Sequence, residues 1–473
     1  MFNNRTFIKD ISKNETQYMN QEITICGMIN NIRKQTNLCF IDINDGSQLK
    51  GLQVILEKQE DIEYSQYYLT LFEKGSKGMI IAVKGILIES PAKGQSIELK
   101  AKEIDYFNSI TDGNEYPISK NRVPMENLRQ ILHLRMRTNV ISSVMRIRSK
   151  CSKYTHDYFQ DRGYEYIHTP LITSSDCEGA GETFTLTTIL PDKLDKNNMT
   201  LKEDYSKDFF GKKVSLTVSG QLNVESYAMY FSKVYTFGPT FRAENSNTSR
   251  HLAEFWMIEP EITYINLEEL MDVAEEYLKY CVSHVLENHN DELTMFNQFM
   301  SKGLIDRLTN IKNNKFIRIS YTQAIELYNK DHQKTPIKWG DDLSSEVEKY
   351  ICEKIYGLPT IIYHYPKEIK AFYMKQNKED NRVVDAFDIL VPGIGEIIGG
   401  SMREDNYEIL KQKVIDTGID VNSMSWYLDL RKFGSCPHGG FGLGFERLIM
   451  LVTGVSNIRD VIPFPRYPKH CDC

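Results

Sequence analysis

Several signatures are missing from this chain, and each absence removes a class of protein. Nine cysteines run from Cys26 to Cys473 without one C-x-x-C pair, so neither a zinc ribbon nor a disulfide framework is expected, and the closing "CDC" reads as a plain terminus. No run of eighteen apolar residues occurs, and the start "MFNNRTFIKD" has neither a signal-peptide core nor an Arg/Ser-rich presequence. The expectation is a cytoplasmic protein with no membrane partner. G-x-G-x-x-G and G-x-x-x-x-G-K-[ST] are both absent, which leaves no support for a dinucleotide fold or a P-loop. An excess of positive charge is lacking too: the net charge is −7. That argues against a protein held on nucleic acid by phosphate contacts alone, though local basic patches can coexist with an acidic total.

What is present is a long, soluble-type chain of 473 residues, 41% apolar and 26% charged, long enough for two or three domains. Residues 22–106 alternate in short runs ("EITICGMINNIR", "LCFIDINDGS", "LKGLQVILEK", "MIIAVKGILIES", "SIELKAKEIDYF") broken by turn signals such as Asn44-Asp45-Gly46. Five short strands with one longer segment before the fourth predict a small closed barrel of the OB type over 1–113. A polar stretch with Pro117 and Pro124 reads as a hinge over 114–136. From 137 to 473 helices and strands alternate irregularly. A helix is predicted from about Val140 to Gly163, and another begins at Asn266 with a capping box to Glu269. Residues 190–213 read as a polar insertion and 288–345 as a helical, peripheral one.

Three stretches carry chemistry. In "FGPTFRAENSNTSRHLAEFWMIEPE" (237–261) strand parity puts Arg242 and Glu244 on one face, and Phe255, Met257, Glu259 and Glu261 on one face. Paired as a hairpin, these make a floor with a guanidinium, several carboxylates and an aromatic plane. Arg suits a phosphate because its rigid fork donates two parallel hydrogen bonds, and Phe255 suits a heterocycle. The plain alternative is a solvated hairpin with cross-strand ion pairs. In "PHGGFGLGFERLIMLVTG" (437–454) four glycines allow close backbone approach, Phe445 opens a helix, and Arg447 falls in its electropositive first turn. In "DAFDILVPGIGEIIGGSMRED" Asp388 and Glu396 are oxygen donors suited to Mg²⁺. Glu396 and Arg403 are seven positions apart, so a regular strand would oppose them; a break at Gly399-Gly400 is expected to bring both to one pocket.

Together these resemble the class II aminoacyl-tRNA synthetases, most closely the aspartyl/asparaginyl group with its N-terminal OB barrel. "FRAE…RHLAEF" is similar to the family's motif 2 (about 235–263), "GFGLGFERL" to motif 3 (about 437–454), and the helix ending in "YEYIHTPLIT" to the motif 1 dimer element (about 140–172). The resemblance implies an α+β chain: the OB barrel for the tRNA anticodon and an antiparallel catalytic sheet flanked by helices, assembled as a homodimer. It implies ATP as substrate with Mg²⁺. Arg242 would hold the α-phosphate, Glu244 and His251 would contact ATP, Phe255 would stack on adenine, and Arg447, beside Gly444, would cover its other side and reach the γ-phosphate. Asp388 and Glu396 would carry the metal. Arg242, Glu396 and Arg447 are the expected catalytic groups.

The amino-acid stretch "SGQLNVESY" has Val224 where aspartyl enzymes of the group tend to carry a lysine, with Glu225 next to it. A carboxylate accepts from an amide NH₂ but repels an aspartate side chain. L-asparagine and tRNA(Asn) are therefore the expected substrates. By similarity Arg403 would donate to the amide oxygen, Gln221 would position the ligand and Glu178 would take the α-amino group. The alternative is that Glu225 pairs with Arg403 and meets no ligand. On the barrel, Phe40 and Gln53 stand where similar modules stack and read an anticodon base, with Arg33 as a phosphate contact; Phe40 as plain core is the competing reading. An aspartyl enzyme, strict or non-discriminating, and an inactive synthetase-like regulatory or nucleic-acid-binding protein remain as rivals.

Overall fold

The computed structural model describes residues 4–58, 71–92, 94–108, 115–118, 123–174, 182–188 and 205–473. They fall into two units, 1–146 and 147–472. Glu178 and most of the 190–213 insertion lie outside the described residues.

The first unit is built on a closed five-stranded barrel. Its strands are β1 (Glu22–Lys34), β2 (Leu38–Asn44), β3 (Leu52–Glu57), β4 (Ile80–Glu89) and β5 (Ile97–Asn108), joined in the order β1-β2-β3-β5-β4. Alternation dictates what each strand does: on β2, Cys39, Ile41 and Ile43 are buried while Leu38, Phe40, Asp42 and Asn44 are partly exposed. The interior is closed by Leu52, Val54, Leu56, Leu99 and Ile104, and also by Ile8 and Ile11 from the short helix Ile8–Lys13. That helical plug had no counterpart in the sequence reading.

The second unit carries an eight-stranded sheet. In chain order its strands and those of a small three-stranded sheet are β6 (Glu165–Tyr166), β7 (Ile172–Thr173), β8 (Thr185–Leu186), β9 (Val214–Leu216), β10 (Lys233–Phe241), β11 (Glu254–Thr263), β12 (Ile317–Ser320), β13 (Thr360–Pro366), β14 (Val383–Val391), β15 (Gly395–Met402) and β16 (His438–Gly444). The large sheet runs β12-β13-β14-β15-β16-β11-β10-β6 and the small one β7-β9-β8. Its five central pairings are antiparallel, but both edges, β12 on β13 and β6 on β10, are parallel. The sheet is thus mixed rather than purely antiparallel.

The 288–345 segment is corrected by this topology. It supplies the edge strand β12, and Phe296, Leu304 and Leu308 of its helices are fully buried. Each such side chain contributes about 1.5–3 kcal/mol of burial, so the segment is part of the fold and not a peripheral addition.

One sheet face is covered by the helix Leu267–Asn288, which starts in the expected Asn266–Glu269 capping box and buries Leu270, Met271, Ala274, Leu278 and Val282. A Cβ on Gly439 would stand 2.9 Å from Leu270, and Phe441 stacks near Tyr277 with ring centres 6.4 Å apart. The odd positions of β16 therefore face this helix, and its even glycines face the other way. The helix Asn139–Gln160 adds Phe159, stacked on Tyr235 at 4.8 Å.

Candidate active site

The uncovered face of the sheet is set by register. In the β10–β11 hairpin Thr236 pairs with Glu259, Gly238 with Met257 and Thr240 with Phe255. Beyond the last paired residue, the Arg242 N–H donates to Ala253 O at 3.0 Å. Even positions of β10 and odd positions of β11 thus share one face, as parity predicts. Strand β16 lies alongside, with Met257 opposite Gly444 and Glu261 opposite Gly440. The glycines are needed there: a Cβ on Gly440 would collide with the Glu261 carboxylate, and one on Gly442 would lie 2.7 Å from Met257. Bare backbone on β16 leaves room for the Met257 and Glu261 side chains of β11.

On this floor a cleft of about 300 Å³ brings together Arg242, Glu244, His251, Phe255, Glu396, Gly444 and Arg447. Arg242 lies 5.5 Å over the Phe255 ring. Gly444 caps the helix Phe445–Thr453, putting Arg447 in its first turn. Arg447 donates to Glu396 O at 2.8 Å and lies 3.4 Å from its Oε2. The His251 Nδ1 lies 2.6 Å from Thr248 Oγ1, and burial, then the Arg447 charge, lowers its pKa. Arginines 205 positions apart in the chain thus open on one cavity, which the Phe255 ring also lines.

Glu396 reaches this face by a route the sequence reading misplaced. Gly399 and Gly400 pair regularly with Asp388 and Phe387. The irregularity is one step earlier: Ile389 pairs with Ile398 but Leu390 with Glu396, so a bulge at Ile397 shifts the parity. Glu396 consequently joins Gly399, Ser401 and Arg403 on one face. An ideal Cβ at Gly399 would be 3.2 Å from Asp388 Oδ1 and 3.3 Å from Glu396 Oε1. The remaining oxygen of Asp388 meets Lys370 Nζ at 2.7 Å. Burial and the Glu396 charge raise the Asp388 pKa; burial also opposes ionisation of Glu396, but Arg447 and Lys370 outweigh it and hold that carboxyl low. Two hard oxygens therefore converge beside a residue with no side chain. Among the described residues no cage of three metal-ligating side chains forms.

The residues expected to hold the amino acid are differently arranged. Arg403, 3% exposed, forms an ion pair with the fully buried Glu261, its Nε 3.2 Å from both carboxylate oxygens, and donates to Ser401 Oγ at 2.6 Å. The expected alternative partner, Glu225, is elsewhere: its Oε1 pairs with Arg431 and with His438 at 2.8 Å, and its Oε2 accepts from Gln221 Nε2 and Tyr427 OH, each at 2.6 Å. Burial resists its ionisation, yet Arg431 and His438 hold its pKa well below normal. Glu225 has no free acceptor in this structure, which corrects the expectation of an open carboxylate lining the pocket; a substrate amide would have to displace one of the four partners. Neither Arg431 nor His438 was singled out from sequence, because both are more than 200 positions from Glu225.

Three further residues escaped the sequence reading. Glu446, 1% exposed, accepts the Trp256 N–H at 2.9 Å and pairs with Arg148 Nη2 at 2.7 Å, tying the Arg447 helix to β11 and to Asn139–Gln160. A carboxylate in the first turn of an apolar helix was the available signal. Lys370 neutralises Asp388, as described above. Glu348 stands beside Gly395, and burial, then Glu396 and Asp388, push its carboxyl up to about 7.

On the barrel, Phe40 is partly exposed on the outer face and Arg33 lies 5.7 Å over its ring. Gln53, on the same face of β3, donates to Glu98 at 3.1 Å. Phe40 is therefore not core.

The family model for class II tRNA synthetases (D, K and N) matches residues 125–468. The chain belongs to the class II tRNA synthetases. A model for OB-fold nucleic-acid-binding domains matches residues 23–105 of this synthetase. It is 49% identical over 472 residues to the asparagine–tRNA ligase of Desulfitobacterium hafniense, covering 99% of each chain, and 48% identical to that of Clostridium tetani, covering 98% of each. It superimposes with a TM-score of 0.85 and 30% identity on the asparaginyl-tRNA synthetase of Pyrococcus horikoshii complexed with asparaginyl-adenylate, over 99% of both chains.

Proposed function

We propose that this synthetase activates L-asparagine with ATP and transfers it to tRNA(Asn). The substrate carboxylate attacks the α-phosphorus, an O–P bond forms, the bridge to the β-phosphate breaks, and pyrophosphate leaves with that electron pair. A ribose hydroxyl of the tRNA then displaces AMP. No protein nucleophile is needed, so the work of the chain is orientation and charge neutralisation. The reading rests above all on Arg242 and Arg447 opening on one cleft around Phe255. Arg242 grips the α-phosphate while Phe255 stacks on adenine; Arg447 covers the opposite side and meets the γ-phosphate; Glu244 and His251 hold the nucleotide.

Asp388 and Glu396 suit Mg²⁺, which takes one or two carboxylates and completes its shell with water and phosphate. That ion would supply neutralisation of the phosphate chain. Arg403 is oriented by Glu261 towards the amide end of the substrate, and Gln221 and Glu178 complete that end, with Gln221 held in place by Glu225. Arg33, Phe40 and Gln53 form the anticodon face. A homodimer through the motif 1 region and a cytoplasmic site belong to the same proposal; among the described residues no helix is long and apolar enough to cross a membrane.

Asparagine-dependent exchange of labelled pyrophosphate into ATP tests the reading. Exchange with asparagine, at least about 100-fold above aspartate and lost in Arg242→Gln, is expected. ATP binding without exchange for any amino acid would refute it.

A further inference from the structure

The cleft continues past Arg447. A second cavity of about 730 Å³ shares Arg250 and Arg447 with it, and is lined as well by Arg307, Lys349 and Lys354. Against these five cations stands one carboxylate, Glu353, whose Oε1 is already accepting the Gly393 N–H at 2.8 Å. Arg307 donates to Ser301 Oγ at 2.6 Å and Lys302 O at 3.3 Å, both neutral. Among the described residues, no carboxylate pairs with Arg250, Arg307, Lys349 or Lys354. What sets these four apart is that all of them line one hollow.

The backbone contributes to the convergence. Lys349 ends the α-helix Ser345–Lys349, and Lys354 sits in the π-helical turn Tyr350–Tyr356. At 3.6 residues per turn, positions five apart fall on different faces. The wider i→i+5 turn brings the second lysine round to the side of the first, and turns of this kind are frequent at functional sites. Like charges gathered in a concave site raise the local concentration of anions.

We propose that this cavity is a polyphosphate subsite: it receives the pyrophosphate chain as it separates from the nucleotide, and admits pyrophosphate in the reverse direction. The proposal rests on the adenylate-forming reading of the neighbouring cleft and adds the path of the leaving group. Arg250 and Arg447 face both spaces, so the chain passes from one to the other along cations the two spaces share. Arg307, Lys349 and Lys354 are the groups that hold it, and the hold weakens with salt because the hollow is open.

The test compares the full chain with Lys349→Gln/Lys354→Gln, with the exposed Lys354→Gln alone, and with Lys349→Arg/Lys354→Arg. Calorimetry with inorganic pyrophosphate, and separately with ATP, is run in the absence of amino acid. Pyrophosphate affinity is expected to fall about tenfold in the double glutamine variant and about threefold in the single one, with ATP affinity within twofold of the parent and the arginine variant close to it. In the exchange assay the KM for pyrophosphate rises by the same factor while those for ATP and asparagine stay put. Unchanged pyrophosphate affinity would overturn the proposal. So would an equal loss of ATP affinity, which would make the hollow part of the ATP site, or an effect confined to the KM for tRNA, which would make it a nucleic-acid contact. Should the parent show no exchange with any amino acid, the calorimetric arm still decides the subsite by itself.

Discussion

Replacing Arg403 by methionine isolates the buried charge of its partner Glu261. The Glu261 carboxylate has no exposed surface and its described partner is Arg403. Deleting the guanidinium strands a buried anion, a loss of about 3–5 kcal/mol, against about 1 kcal/mol for the hydrogen bond to Ser401 alone. In a unit of this size that lowers Tm by roughly 4–7 °C. Burial already raises the Glu261 pKa above its ordinary 4.5, with Arg403 the leading influence pulling it down. Without Arg403 it rises further, so the folded variant keeps a proton that the unfolded chain has released. Its stability is then greatest at low pH and falls as pH climbs from about 4.5 to the new folded pKa.

Urea unfolding of the parent, Arg403→Met, Glu261→Met and the double variant at pH 5 and pH 8 reads this out. The loss in Arg403→Met should be largest at pH 8 and shrink at pH 5. The double variant should recover to within about 2 kcal/mol of the parent at both, since an apolar pair can replace a buried ion pair. A loss independent of pH, or a double variant as unstable as the single, would refute the assignment of the cost to a stranded charge.

Gly399→Ala needs no unusual backbone, but its methyl would fill the gap between Asp388 Oδ1 and Glu396 Oε1; the Mg²⁺ concentration for half-maximal exchange should rise about tenfold or more while Tm moves little, and an unchanged Mg²⁺ titration would exclude metal from that gap. Phe40→Ala should leave asparagine-dependent exchange intact and raise the KM for tRNA(Asn) by about 5–150-fold, the worth of one stacked base at about 1–3 kcal/mol; equal tRNA kinetics in both proteins would remove Phe40 from the anticodon face.

Local periodicity made the barrel and the face shared by Arg242 and Phe255 readable. Leu38–Asn44 alternates strictly, so Phe40 had to face outward once Cys39, Ile41 and Ile43 faced inward. Arg242 and Phe255 meet because a hairpin converts parity directly into a shared face. What parity cannot locate is a bulge: nothing local in "PGIGEIIGG" distinguishes Ile397 from Gly399 as the extra residue, and the glycines were the more obvious breakers. Long-range partners were equally hidden. Glu225 lies beside a helix-borne Arg431 and a strand-borne His438 through packing of elements 200 residues apart. The edge strand Ile317–Ser320 is four residues long inside a helical stretch, too short for a period of two to stand out.

The Glu446 carboxylate has a mechanical meaning beyond its two contacts. One of its oxygens holds the main chain next to Phe255, and its own backbone sits beside that of Arg447. Helix and strand are thereby geared: a tilt of that helix which withdrew Arg447 would drag the backbone beside Phe255 along with it, so under the proposed reading any ligand between them would be held or let go from both sides at once.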